Sequence, residues 1–254
     1  MTLYKIHFSP TGGTKKVIDC LGEHLQPENT DVDIFDSKKD LTALKFDRFD
    51  LCLVAVPSFG GRVPAAAAAR IKELRGNGAK AIPIAVFGNR AFDDTLLELK
   101  ALLKAAGFVC VAAVAANAEH SLMRQYGTGR PDKFDQKELA EFAEKINSAL
   151  RHNKYTEDVE VPGNFPYREY NGVPFKPAGD HHCNKCGACV EQCPVGAISP
   201  TAPRETDKEK CISCMRCVAF CPQKARHVNE KLLAVAALQK KKIFAERKIN
   251  SLFI

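Results

Sequence analysis

Between Cys183 and Cys221 the chain carries eight cysteines in two runs of C-x-x-C-x-x-C-x-x-x-C-P. Each position of the first run recurs 28 residues later: Cys183 with Cys211, Cys186 with Cys214, Cys189 with Cys217, Cys193 with Cys221. Three thiolates spaced two residues apart can wrap a short loop around one iron–sulfur cube. The fourth then points away, and the proline after it turns the chain outward. Zinc and disulfides fit this pattern badly. A structural zinc site takes two C-x-x-C pairs or a Cys/His mixture, which leaves the third cysteine of each run and both C-P positions without a purpose. Disulfides need an oxidising compartment, and Met1 is followed by Thr2-Leu3-Tyr4-Lys5 with no signal-peptide pattern, so a cytoplasmic protein is expected.

The doubled run resembles the bacterial-type two-[4Fe–4S] ferredoxins over about the last third of the chain. In that family the fourth cysteine of each run ligates the other run's cluster. The resemblance therefore implies one cluster on Cys183, Cys186, Cys189 and Cys221, and a second on Cys211, Cys214, Cys217 and Cys193. His181 and His182 are then surface residues, since each cluster already has four thiolates. Cys20, Cys52 and Cys110 lie in apolar surroundings and read as small packed hydrophobes.

Ahead of the cysteines, strand-like and helix-like patterns alternate five times. The strands are expected at Leu3–Phe8, Val32–Phe35, Leu51–Val56, Ala81–Phe87 and Phe108–Ala115. Of these, Leu51–Val56 is apolar throughout, as in a central parallel strand, whereas Pro83 costs the fourth a ladder donor. Helices are expected at Thr14–Leu25, Ala65–Arg75, Thr95–Ala106 and Lys133–Arg151, the last with Phe134, Leu139, Phe142, Ile146 and Leu150 on its apolar side. This alternation predicts a parallel sheet with helices on both faces and a ligand crevice at the carboxyl ends of the strands. Residues 153–178 lose the periodicity and become rich in proline, glycine and aromatics. They form an expected connector that packs along its neighbours, between an α/β domain at 1–152 and a cluster domain at 179–230. Residues 231–254 are expected to be a C-terminal helix, its Lys240-Lys241-Lys242 run a solvated end or a docking surface.

The loop after the first strand reads Ser9-Pro10-Thr11-Gly12-Gly13-Thr14 and opens a helix. Hydroxyls of Ser9, Thr11 and Thr14, with backbone N–H groups freed by the glycines, suit a phosphate; a structural Gly-rich turn capped by Thr14 is the competing reading. Neither the Walker spacing nor G-x-G-x-x-G is present. Two further loops, Pro57-Ser58-Phe59-Gly60-Gly61-Arg62 and Gly88-Asn89-Arg90-Ala91-Phe92-Asp93-Asp94, are expected at the same sheet edge. Together the three resemble flavodoxins, whose phosphate loop reads Ser/Thr-x-Thr-Gly-x-Thr and whose later loops hold the ring of FMN. The resemblance implies a five-stranded sheet of order 2-1-3-4-5. It also implies FMN contacts from Ser9, Thr11, Gly12, Gly13, Thr14, Pro57, Ser58, Gly60, Gly61, Gly88, Asn89 and Asp93. With no Trp in the chain and no Tyr in either loop, Phe59 and Phe92 would be the stacking aromatics. Arg62 and Arg90 would flank the ring, unless they pair with Asp93 or Asp94; His120 is a further candidate at this edge.

The formal charge of +7 is offset by cofactors. Eight thiolates, two oxidised cluster cores and a flavin phosphate together add about −6, which argues against a nucleic-acid partner. No apolar run reaches the ~18 residues of a spanning helix, so no membrane insertion is expected. The whole resembles fused flavodoxin–ferredoxin electron carriers of anaerobes, which implies FMN, two [4Fe–4S] clusters, redox protein partners, and conversion between one- and two-electron carriers. An FMN-dependent reductase of a small substrate, or a delivery module for one partner enzyme, are the alternatives; donor, acceptor and oligomeric state are left open.

Overall fold

Leu51–Pro57 (β3) is buried at every residue but its last, because it runs through the middle of a sheet covered on both faces. The computed structural model describes residues 2–26 and 28–254. β1 (Leu3–His7) and β4 (Lys80–Phe87) flank β3 in parallel, β2 (Asn29–Asp33) lies outside β1, and β5 (Val109–Cys110) and β6 (Ala113–Asn117) lie outside β4. Counting β5 and β6 as one interrupted strand, the order is the flavodoxin-like 2-1-3-4-5. Helices α1 (Gly13–Leu25) and α4 (Lys133–Arg151) bury Val17, Ile18, Leu21, Leu139 and Ile146 on one face. On the other, α2 (Ala65–Ile71) and α3 (Thr95–Ala105) bury Ala67, Ile71, Leu96, Leu99 and Leu103.

The interruption in the fifth strand has a cause in β4. Ala81 pairs with Cys110 and Ile84 with Val114, so three steps along β4 match four along its neighbour. Pro83 lies in that interval and has no N–H to donate. The neighbour bulges by one residue where the donor is missing. The second strand sits earlier than expected, at Asn29–Asp33 rather than Val32–Phe35, because only Val32 of this edge strand is buried and hydrophobic periodicity does not mark its start. Helix α2 also ends earlier, at Ile71. Phe134 does not belong to the apolar face of α4: it is solvent-exposed beneath the Arg247 guanidinium, and Asp135 takes the inward position.

The cluster region contains little regular structure. Its elements are β7 (Ala178–Gly179), α5 (Ala188–Glu191), α6 (Arg216–Ala219) and β8 (Arg226–His227), with β7 and β8 paired antiparallel. Helix α7 (Glu230–Phe244) follows. The expectation of 231–254 as one C-terminal helix is corrected here. After Phe244 the chain returns to the first domain, and β9 (Ser251–Phe253) pairs antiparallel with β6. Polar side chains fix this return. Asn250 accepts from Asn117 N at 2.8 Å and donates to Glu138 Oε2 at 2.6 Å, while Asn89 donates to the carbonyls of Phe244 and Glu246 and accepts from Lys248 N. Among the described residues no helix is long and apolar enough to cross a membrane.

The connector is bound at both ends. Val159 N donates to Cys110 O, and Lys100 and Lys104 both pair with Asp158. Further along, Lys176 donates to Cys211 O at 2.6 Å.

Candidate functional site

The 28-residue repeat is present in the backbone as well as in the cysteines. Left-handed φ values occur at Lys185 and Ser213, at Gly187 and Met215, and at Gly196 and Lys224, each pair one repeat apart. Four of these six are not glycine, so the chain is held locally in a conformation its side chains disfavour. Helices α5 and α6 occupy equivalent positions, and Ala197 N donates to Cys193 Sγ at 3.2 Å just as Ala225 N donates to Cys221 Sγ at 3.3 Å. Such N–H groups stabilise a sulfur that has lost its proton.

Two cavities follow from this repeat. One is lined by Cys183, Cys186, Cys189 and Cys221, the other by Cys193, Cys211, Cys214 and Cys217. Burial pushes the Cys214 thiol up to about 12 and also raises Cys189 and Cys217, with Arg226 pulling both partly back. A metal centre binding here displaces those protons. His181 and His182 are exposed, with rings 3.9 Å apart. Cys52 and Cys110 are buried in the sheet, where burial raises both thiols, Cys110 to about 12.

At the other site, Gly12 has φ +89° and precedes α1. A Cβ there would meet nothing within 4 Å, so the loop is open in front, whereas a Cβ on Gly13 would press on Ala118 at 3.1 Å. Ser9 is buried and its hydroxyl accepts from Lys15 N at 2.9 Å, which closes one first-turn donor. Among the described residues the N–H groups of Gly12, Gly13 and Thr14 have no hydrogen-bond partner. Lys15 is turned away, paired with Asp19 and Asp31. Thr14 is buried and Thr11 partly exposed. Opening, helix terminus and hydroxyl together fit a phosphate.

The two later loops do reach this edge, but the connector straps them. Asp94 is buried, and its carboxylate accepts from Asn164 N, Asn164 Nδ2 and Arg168 N at 2.7–3.2 Å, which lowers its pKa against the effect of burial. Arg168 also pairs with Asp93 at 2.8 Å. Arg62 is bound bidentately to Glu98, Arg90 pairs with Asp93, and Ser58 Oγ bonds Thr95 Oγ1. Phe59 and Phe92 pack partly against the core, Phe92 on Phe87. The aromatic at the Gly60-Gly61 turn is instead Tyr170 of the connector, close enough that a Cβ on Gly60 would overlap its ring. Reading the two loops alone missed it; the excess of connector aromatics was the signal. Asn89 serves the C-terminal return. His120 is half-buried against Gly88 and Phe244, its Nδ1 accepting from Leu122 N and Met123 N.

The two sites adjoin. Arg216 of α6 lines the second cavity, donates to Pro10 O in the phosphate loop at 3.3 Å, and lies over Phe35. Ile212 and Cys214 pack on the core of the α/β domain.

Residues 182–226 match the 4Fe-4S dicluster domain family. Over 44 residues the chain is 52% identical to a component of the ion-translocating oxidoreductase complex of Methanosarcina acetivorans, a match covering 17% of this chain and 17% of that relative's length. The chain is similar to a flavodoxin of Streptococcus pneumonia TIGR4 at 19% identity, covering 58% of this chain and 99% of that one with TM-score 0.40. It is similar to a flavodoxin from the domain Archaea at 12% identity, covering 60% and 100% with TM-score 0.38. The sheet order and the dicluster match make the chain a flavodoxin-like α/β fold joined to a 4Fe-4S dicluster domain.

Proposed function

We propose that the protein couples an FMN centre to two [4Fe–4S] clusters and converts between one- and two-electron carriers in anaerobic metabolism. The observation that carries the reading is the pair of cavities, each lined by three cysteines of one run and the fourth of the other. Cys183, Cys186, Cys189 and Cys221 would hold one cluster, and Cys211, Cys214, Cys217 and Cys193 the other. Flavin, when bound, supplies two-electron chemistry that a cluster lacks. The chain's own part is positional. Thr11 and the N–H groups of Gly12, Gly13 and Thr14 would hold the phosphate, the Gly60-Gly61 turn would meet the ring, and Tyr170 would cover it. Arg216 ties the phosphate loop to the wall of the second cavity, which fixes the separation of the two centres.

Anaerobic purification with iron, sulfide and flavin analysis is the test. About eight irons are expected, and stoichiometric zinc without acid-labile sulfide overturns the cluster reading. Cys193→Ala is expected to alter the paramagnetic signal of the cluster on Cys211, Cys214 and Cys217. A change confined to the other cluster overturns the crossed ligation.

A further inference from the structure

Arg226 breaks the repeat. Its counterpart one repeat earlier is Ile198, so a charge stands where the first run has a hydrocarbon. Arg226 is only 2% exposed. Its guanidinium donates to Pro203 O on the wall of the first cavity, and to Pro177 O and Thr206 Oγ1 on the wall of the second. Nη1 lies 4.0 Å from Cys189 Sγ, and Nε is buried with no partner. Among the described residues no carboxylate pairs with it. All its oxygen partners are neutral, and a buried cation without a counter-charge is strongly unfavourable. An anion belongs beside it, and the thiolate-lined first cavity is where one would sit.

We infer that Arg226 is the fixed counter-charge of the first cavity's cluster and raises that cluster's reduction potential. The inference rests on the cysteines being cluster ligands. One electron from a low-potential one-electron donor, such as a reduced viologen, makes a cluster one unit more negative, with no bond formed or broken. A guanidinium held nearby in a medium of low polarity favours the more negative state. Arginine does not release its proton to cancel the effect. The second cavity has Ile198 at the equivalent position and the side chain of Arg216 on its own wall.

The experiment is a redox titration of the full-length, anaerobically loaded protein with viologen mediators, read by low-temperature paramagnetic resonance. In Arg226→Gln the cluster held by Cys183, Cys186, Cys189 and Cys221 should become at least tenfold harder to reduce, which is about 59 mV for one electron. The other should move less, and Arg226→Lys should restore both to within about threefold of wild type, about 28 mV on the same scale. A loaded Arg226→Gln protein with both potentials unchanged overturns the inference and leaves the arginine a structural bolt. Should Arg226→Gln fail to load, Arg226→Lys decides. Wild-type-like potentials support a role for charge; loss of iron, or potentials displaced tenfold, overturn it. Absence of iron and sulfide from the wild type would be a failure of the cluster reading, and the metal analysis separates the two.

Discussion

The α/β domain and the cluster region are held together by different means. In the first, strands β1, β3 and β4 bury nearly every side chain, and four helices close over them. In the second, between residues 178 and 227, no helix exceeds four residues, no strand exceeds two, and neither α5 nor α6 has a buried residue. Apolar burial suffices to fold the former. Non-glycine residues at positive φ occur in both, at Asn77, Asn89 and Asp93 in the former and at Lys185, Ser213, Met215 and Lys224 in the latter; with so little regular structure, the latter is expected to take its order from what the cysteines bind.

The sharpest way to break this comparison is to remove the metal. Chelation of iron under reducing conditions is expected to abolish hydrogen-exchange protection across 178–227 and to leave β1, β3 and β4 protected. Protection persisting in both regions would mean that the cysteine loops fold by packing alone.

A second test asks how far the α/β domain depends on the segment that follows the clusters. Asn89→Ala strips partners from Arg130, Lys248 N and the carbonyls of Phe244 and Glu246. Buried groups left without partners cost about 1–3 kcal/mol each. Some of these regain water, and a loss of about 4 kcal/mol is expected in denaturant unfolding.

His120 provides the third. Burial, reinforced by Arg90, lowers its pKa to about 4 from the ordinary 6.5. The unfolded chain then binds the proton more readily than the folded one. Stability is therefore complete above about pH 6.5 and falls as pH drops towards 4, by about 3 kcal/mol in all. Unfolding of His120→Gln, followed between about pH 7 and pH 4, should lack this component.

The smallest effect concerns the phosphate loop. Thr11→Val removes one hydroxyl and is expected to weaken FMN by about 1.5–3 kcal/mol, roughly tenfold or more, while riboflavin binding hardly changes. Equal weakening of both ligands in a titration would mean that the loop serves the fold.

What the sequence disclosed divides along the same boundary. Continuous apolar runs placed β3 and β4 nearly to the residue, and helical spacing placed α4 without error, because burial writes a periodic signal. The start of β2 was hidden, since an edge strand with one buried residue writes none. Phe134 was misplaced because an aromatic near a helix start resembles a core residue until the register of Leu139, Phe142 and Ile146 is followed back to Asp135. The doubled cysteine run was legible from spacing, whereas the grouping of its members came from the ferredoxin resemblance. The roles of Tyr170, Arg216 and Arg226 were not, since each acts through a contact made far along the chain. The return of β9 was equally silent: three residues are too few to carry a pattern.

That return changes the order in which the molecule can be completed. Until residues 251–253 have been made, β6 is an unpaired sheet edge, open to another chain. The cluster loops are synthesised before the strand that covers it. During synthesis, then, the interval in which the α/β domain is prone to aggregate overlaps the interval in which the cysteines are awaiting metal, and a delay in one exposes the other.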